Sequence, residues 1–236
     1  MHEYYAQAAP KLRKTLDKYM RNIQTELEEA AGKPYAQVID DIWTLYERDM
    51  LENFPYIGGD KASGTSNLTD AFMLIAAMQV LEGYGKSLED AAYLATISYQ
   101  RYSAKMPGPV KKLACRAIKS GLMEKFMHMK DAKNAANAKA NPGSFETQTQ
   151  PSTAEYSVIY HTKVCPLANF AKQYGYERYM PYECNLDYAI FGELNVPLRR
   201  THTCFMDGDY CDFSLATHGD PLPFWPPVFQ QDNPFK

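Results

Sequence analysis

Most residues able to do covalent or metal chemistry fall between Tyr156 and Leu215. They are Cys165, Cys184, Cys204 and Cys211, with His161, His202, Asp187, Asp207, Asp209 and Asp212. Cys184 and Asp187 stand three apart, a spacing that puts both on one face of a helix, with Tyr188 beside them. A thiol next to a carboxylate is the make-up of a nucleophile with an acid/base or orienting partner. Downstream, alternation along a strand would give Arg200, His202 and Cys204 one face. Imidazole titrates near neutral pH, so His202 is the candidate general base. The guanidinium fork of Arg200 suits a substrate carboxylate. Cys165 precedes a proline that opens a short helix, where free N–H groups and the helix dipole favour a thiolate.

Two other readings stay open. Cys165, Cys184, Cys204 and Cys211, with His161 or His202, have the donor types zinc takes, although no C-x-x-C knuckle is present and the ligands would have to converge from separate elements. The thiols are also small apolar groups suited to a core.

These groups need elements to hold them. Residues 3–31 carry Leu12, Leu16, Tyr19, Met20, Ile23 and Leu27 at helical spacing, ended by Gly32 and Pro34. A second helix carries Val38, Ile39, Ile42, Leu45, Tyr46 and Leu51. The loop from Pro55 to Asn67 follows, and Gly58 and Gly59 within it permit close approach to a ligand, with Asn67 at its end. A third helix, about 68–81, is apolar all round and should be the buried centre. Ser87 with Asp90 reads as a capping box for a fourth helix, and a fifth runs from Val110 to about Met129. From Lys130 to Thr153 no period could bury a face. Beyond it the period becomes two. Residues 156–161 read as a strand, 166–174 and 180–191 as helices, and 200–205 with 210–215 as a hairpin turning at Met206-Asp207-Gly208-Asp209.

The pattern is α+β: a helical N-terminal half (1–140) packed on a C-terminal antiparallel sheet with short helices (141–218), then a proline-rich extended tail (219–236) pinned by Phe224, Trp225 and Phe229. The 236 residues suffice for a core without staples, so stability does not dictate the cysteines. A net charge of −3 with interspersed signs gives no reason to expect nucleic acid or an anionic membrane as partner. The expectation is a cytoplasmic protein with free thiols and a small-molecule partner, no cofactor unless zinc, and a homo-oligomer left open.

The combination of Cys165-Pro166, Cys184 with Asp187, Arg200-Thr201-His202-Thr203, and Gly208-Asp209 with Cys211-Asp212-Phe213 resembles the L-2-amino-thiazoline-4-carboxylic acid hydrolase family. The Pro55-Tyr56-Ile57-Gly58-Gly59 loop is similar to its N-terminal half. The resemblance implies a hydrolase acting on a non-peptide carbon–nitrogen bond of a small cyclic amidine, opening a thiazoline ring toward a carbamoyl-cysteine. On that reading Cys184 attacks the amidine carbon, Asp187 or His202 handles protons, and Arg200, Asn67, Gly58, Gly59 and Cys211 contact substrate. A looser similarity to vinyl-reductase-like domains leaves a non-catalytic small-molecule- or zinc-binding module as the alternative.

Overall fold

The protein is described from a computed structural model, covering residues 1–62, 64–205 and 208–230. Helices α1 (Glu3–Met20) and α2 (Gln24–Ala31), joined by a 3-10 turn, bury Leu12, Leu16, Tyr19, Met20, Ile23 and Leu27 as one stripe. Gly32, at φ 61°, ends α2 in the left-handed conformation that glycine adopts without a Cβ clash. Helix α3 (Tyr35–Leu45) runs on through a π turn, and α4 (Thr65–Gly83) is buried on every side, with Leu68, Phe72, Ile75, Ala76 and Met78 at the centre. Helix α5 (Leu88–Ala104) starts where the sequence places it, the Ser87 hydroxyl accepting the Asp90 N–H at 3.1 Å.

The predicted fifth helix is two, α6 (Gly108–Lys119) and α7 (Leu122–Ala140), separated at Gly121, whose φ is 74°. Helix α7 runs through much of the stretch expected to be irregular, and strand β1 (Glu146–Gln150) follows it unannounced. Polar groups dock them. Asp131 accepts the Thr147 hydroxyl at 2.6 Å and the Thr149 N–H at 2.7 Å, and the Asn137 amide donates to the Ile57 carbonyl at 2.9 Å. Apolar periodicity cannot register a face held by Asp and Asn.

Strands β1, β2 (Tyr156–Val164), β3 (Leu198–Arg199) and β4 (Cys211–Ala216) form an antiparallel sheet in the order β1-β2-β4-β3, which makes the fold α+β. Helix α8 (Pro166–Tyr174) has proline at its start and Gly175 at its end, and α9 (Met180–Glu193) follows. The hairpin differs from expectation. Only Leu198 and Arg199 pair with β4, opposite Leu215 and Ser214, and 200–205 is irregular. The Asp212 carboxylate ties this loop down, accepting the N–H groups of Thr201 and His202 and the Thr201 hydroxyl. Period-two alternation therefore does not apply there. The expected turn residues Met206 and Asp207 lie outside the described residues, as do 231–236 of the tail.

Two apolar cores draw on both sides of position 140. The helical core takes Phe170, Tyr176, Met180 and Tyr182 from the C-terminal part, with Phe170 edge-on to Phe72 at 4.7 Å. The core beneath the sheet joins Val158, Phe213 and Leu215 to Ile118 and Met127 of α6 and α7. Helix α9 thereby lies between helices and sheet. Against it packs the tail, whose Phe224 carbonyl and Val228 N–H bond the buried Asn185 amide at 2.6 and 2.9 Å. Phe224, Trp225 and Phe229 pack on the helical core, and one 3-10 turn (Val228–Gln230) interrupts the extended run. Among the described residues no helix is long and apolar enough to cross a membrane.

Candidate active site

One face of α9, carrying Met180, Glu183, Cys184, Leu186 and Asp187, lines a cavity of about 220 Å³. Helix α4 adds Asn67 and Asp70, the sheet adds Thr162, Cys211 and Phe213, and Cys165 and Arg200 complete the wall nearest the thiols. The helical spacing of Cys184 and Asp187 thus acts as expected.

Arg200 is 1 % exposed. Its Nη1 donates to the Cys184 carbonyl at 3.0 Å and to Asp187 Oδ2 at 2.7 Å, and the guanidinium stacks 4.2 Å from the Phe213 ring centroid. Its Nε is buried with no hydrogen-bond partner. Burial pushes the Asp187 carboxyl up and the Arg200 charge pulls it back, while 38 % of the side chain stays exposed.

The thiols divide. Burial pushes Cys184 well above the ordinary thiol range. Burial likewise raises Cys165 to about 12, although the N–H groups of Ala168 and Leu167 pull the other way. The expected helix-start thiolate is thus overruled, because desolvation outweighs two backbone donors. Cys211 is held down to about 7, first by a hydrogen bond from the Cys204 side chain, then by the Arg200 charge and the Cys204 N–H, which lies 3.1 Å from its sulfur. Cys204 itself is buried behind it, its Sγ 3.4 Å from the Thr162 carbonyl.

Other expected residues lie elsewhere. In the β2–β4 ladder Thr162 faces Cys211 and His161 faces Asp212, so the second pair points to the opposite side of the sheet from the first. His202 sits on that far side, stacked on Tyr210 at 4.9 Å with Nδ1 2.8 Å from the Thr201 hydroxyl. It does not line the thiol cavity, because the loop that carries it has left the ladder. Gly58 packs against Asn137, where a Cβ would meet Asn137 Oδ1 at 2.3 Å. Gly59 lines a separate, larger groove of about 430 Å³ with Tyr4, Lys11 and Asp60, and that groove holds no thiol. Asp70 borders both spaces. Among the described residues no group of three or more His, Cys, Asp or Glu is arranged to hold a metal ion, so the four cysteines do not form the zinc site their composition permits.

Sequence reasoning missed Glu183. It is 6 % exposed, and neither carboxyl oxygen has a hydrogen-bond partner. Burial, then the neighbouring Asp187, pushes its carboxyl well above the usual range. The available signal was its spacing four residues before Asp187. Asp70, bonded by the Tyr19 hydroxyl at 2.7 Å, was missed as well.

Fold and site together define a small α+β protein with a cavity that brings thiols together with a guanidinium and carboxyls. The model of the L-2-amino-thiazoline-4-carboxylic acid hydrolase family matches residues 71–215. The chain belongs to that family, and the matched span includes Cys165, Cys184, Asp187, Arg200 and Cys211. No curated protein and no solved structure matches it.

Proposed function

We propose that the protein hydrolyses a small cyclic amidine bearing a carboxylate, of the 2-amino-thiazoline-4-carboxylate type, with Cys211 as nucleophile. The observation that carries this is one small cavity lined both by Cys211, whose sulfur accepts the Cys204 N–H at 3.1 Å, and by a buried guanidinium with a spare donor. Cys184, the nucleophile expected from spacing, is half-buried and serves less well because its surroundings push its thiol up, whereas the Cys204 hydrogen bonds hold Cys211 down. Arg200 Nε takes the substrate carboxylate, and Asp187 orients the guanidinium.

The Cys211 thiolate adds to the amidine carbon, and the ring sulfur leaves with a proton. This gives a protein-bound isothiourea. Water then adds to the same carbon and the Cys211 thiolate departs, leaving a urea. A carbamoyl product keeps both nitrogens on that carbon, so the ring bond that breaks is carbon–sulfur. The amidine C=N becomes C–N as C=O forms.

The test combines turnover with labelling. 2-Amino-thiazoline-4-carboxylate should yield carbamoyl-cysteine by mass spectrometry, and Cys211→Ala should lower kcat/KM by about a thousandfold or more. Iodoacetamide labelling of Cys211 should rise through pH of about 7. Undiminished turnover by Cys211→Ala would remove the covalent mechanism.

A further inference from the structure

A buried carboxyl without a partner is costly unless something occupies its hydrogen-bonding positions. Glu183 is such a group, 6 % exposed with both oxygens unpaired, on the cavity-lining face of α9. Arg200 lines the same cavity and carries a second orphan, its donor Nε. One chamber thus carries an unsatisfied two-oxygen acceptor and an unsatisfied cationic donor. A planar amidine presents two parallel N–H bonds, the counterpart of a carboxyl's two oxygens. A carboxylate is the counterpart of the guanidinium.

We propose that Glu183 is the amidine-binding residue of this cavity, gripping the ring nitrogen and the exocyclic nitrogen together while Arg200 holds the carboxylate at the ligand's other end. This rests on the amidine reading above and adds what that reading lacks, a group that selects the amidine itself. The ligand class is a planar amphoteric heterocycle with an amidine at one end and a carboxylate at the other.

Glu183 also has a chemical role. Asp187 of the same helix, Asp70 of α4, Tyr99 of α5 and Arg200 line the chamber with it. The Tyr99 phenol is pushed up to about 12 by burial, then by Asp187, Asp70 and Glu183, so it stays neutral. Asp187 is paired with Arg200. Asp70 accepts the Tyr19 hydroxyl at 2.7 Å, so Glu183, kept protonated by its surroundings and without a partner, is the group left to exchange a proton with the ligand. The carboxyl O–H proton passes to the ring nitrogen of a neutral amidine, giving a carboxylate–amidinium pair whose carbon is more open to attack. An amidine already protonated in solution forms the same pair, and the Glu183 proton goes to the buffer.

Calorimetry in two buffers of different ionisation enthalpy tests this with two probes. 2-Amino-2-thiazoline has the amidine without the carboxylate, and thiazolidine-4-carboxylate has the carboxylate without the amidine. Wild type should bind the first with release of about one proton. Glu183→Gln should weaken that binding roughly tenfold or more, abolish the proton release and leave the second probe unaffected. Glu183→Asp, checked for folding by its melting curve, should keep the release with reduced affinity. Unchanged amidine binding and proton release by Glu183→Gln overturns this assignment alone, even where turnover is confirmed. Binding of neither probe by wild type overturns the amidine reading and the assignment with it.

Discussion

The two faces of the sheet at β2 and β4 carry similar side chains in different surroundings. On the inner face Thr162 and Cys211 look into the cavity with Arg200, Asp187 and Glu183. On the outer face the adjacent pair, His161 and Asp212, sits with His202, Tyr210 and Lys163. Outside, the polar groups are satisfied locally: Asp212 accepts the loop N–H groups and the rings stack. Inside, a carboxyl and a guanidinium nitrogen are left unpaired, and burial shifts Glu183, Cys184 and Asp187 alike. The composition of a face therefore says less about reactivity than its exposure to water. Unsatisfied buried groups call for an explanation, and the proposed ligand supplies one for Glu183 and Arg200.

Substitutions can break or sharpen that contrast. The largest stability effect should come from Arg200→Ala, which strips the charge partner from Asp187 and the packing from Phe213. About 2–3 kcal/mol is expected in urea denaturation, below the range for breaking a fully buried pair because the Asp187 side chain stays 38 % exposed. A loss near zero would mean that the inner face is wetter than its geometry indicates.

Next comes Glu183. Its folded pKa lies above the unfolded value of about 4.5. Both states are protonated at lower pH, and as pH rises the unfolded chain ionises first. Stability therefore falls across the interval up to the folded pKa, by at most about 1.4 kcal/mol per pH unit. Glu183→Gln should remove that fall and leave the empty protein more stable at neutral pH. Parallel pH–stability curves for the two proteins would contradict it.

The smallest effect is expected on the outer face. His202→Ala should cost less than about 1 kcal/mol and change kcat/KM by no more than about threefold. A hundredfold loss of turnover would return His202 to the general-base role that its residue type suggests.

Much of the architecture is legible from local rules. Ser87 and Asp90 start α5, Pro166 and Gly175 bound α8, and the all-apolar run of α4 announces the core, because caps and periodicity act within a few residues. That Cys184 and Asp187 share one face was legible for the same reason, from helical spacing. Docking through Asp131 and Asn137 was not, since a polar helix face looks the same whether water or a strand satisfies it.

What the sequence by itself determined is the set of reactive groups and the elements that carry them. Only the tertiary structure decided which side of the sheet each group faces and whether water reaches it. It placed α9 between helices and sheet, which buried Glu183 where its spacing alone would equally fit a solvated face. It released 200–205 from the ladder, sending Arg200 inward and His202 outward. It put the Cys204 donors beside Cys211 and left the half-buried Cys184 and Cys165 with surroundings that push their thiols up. Spacing fixes which side chains share a face, but a thiol's or carboxyl's proton affinity depends on distant segments brought into contact, and that information is not local in the chain.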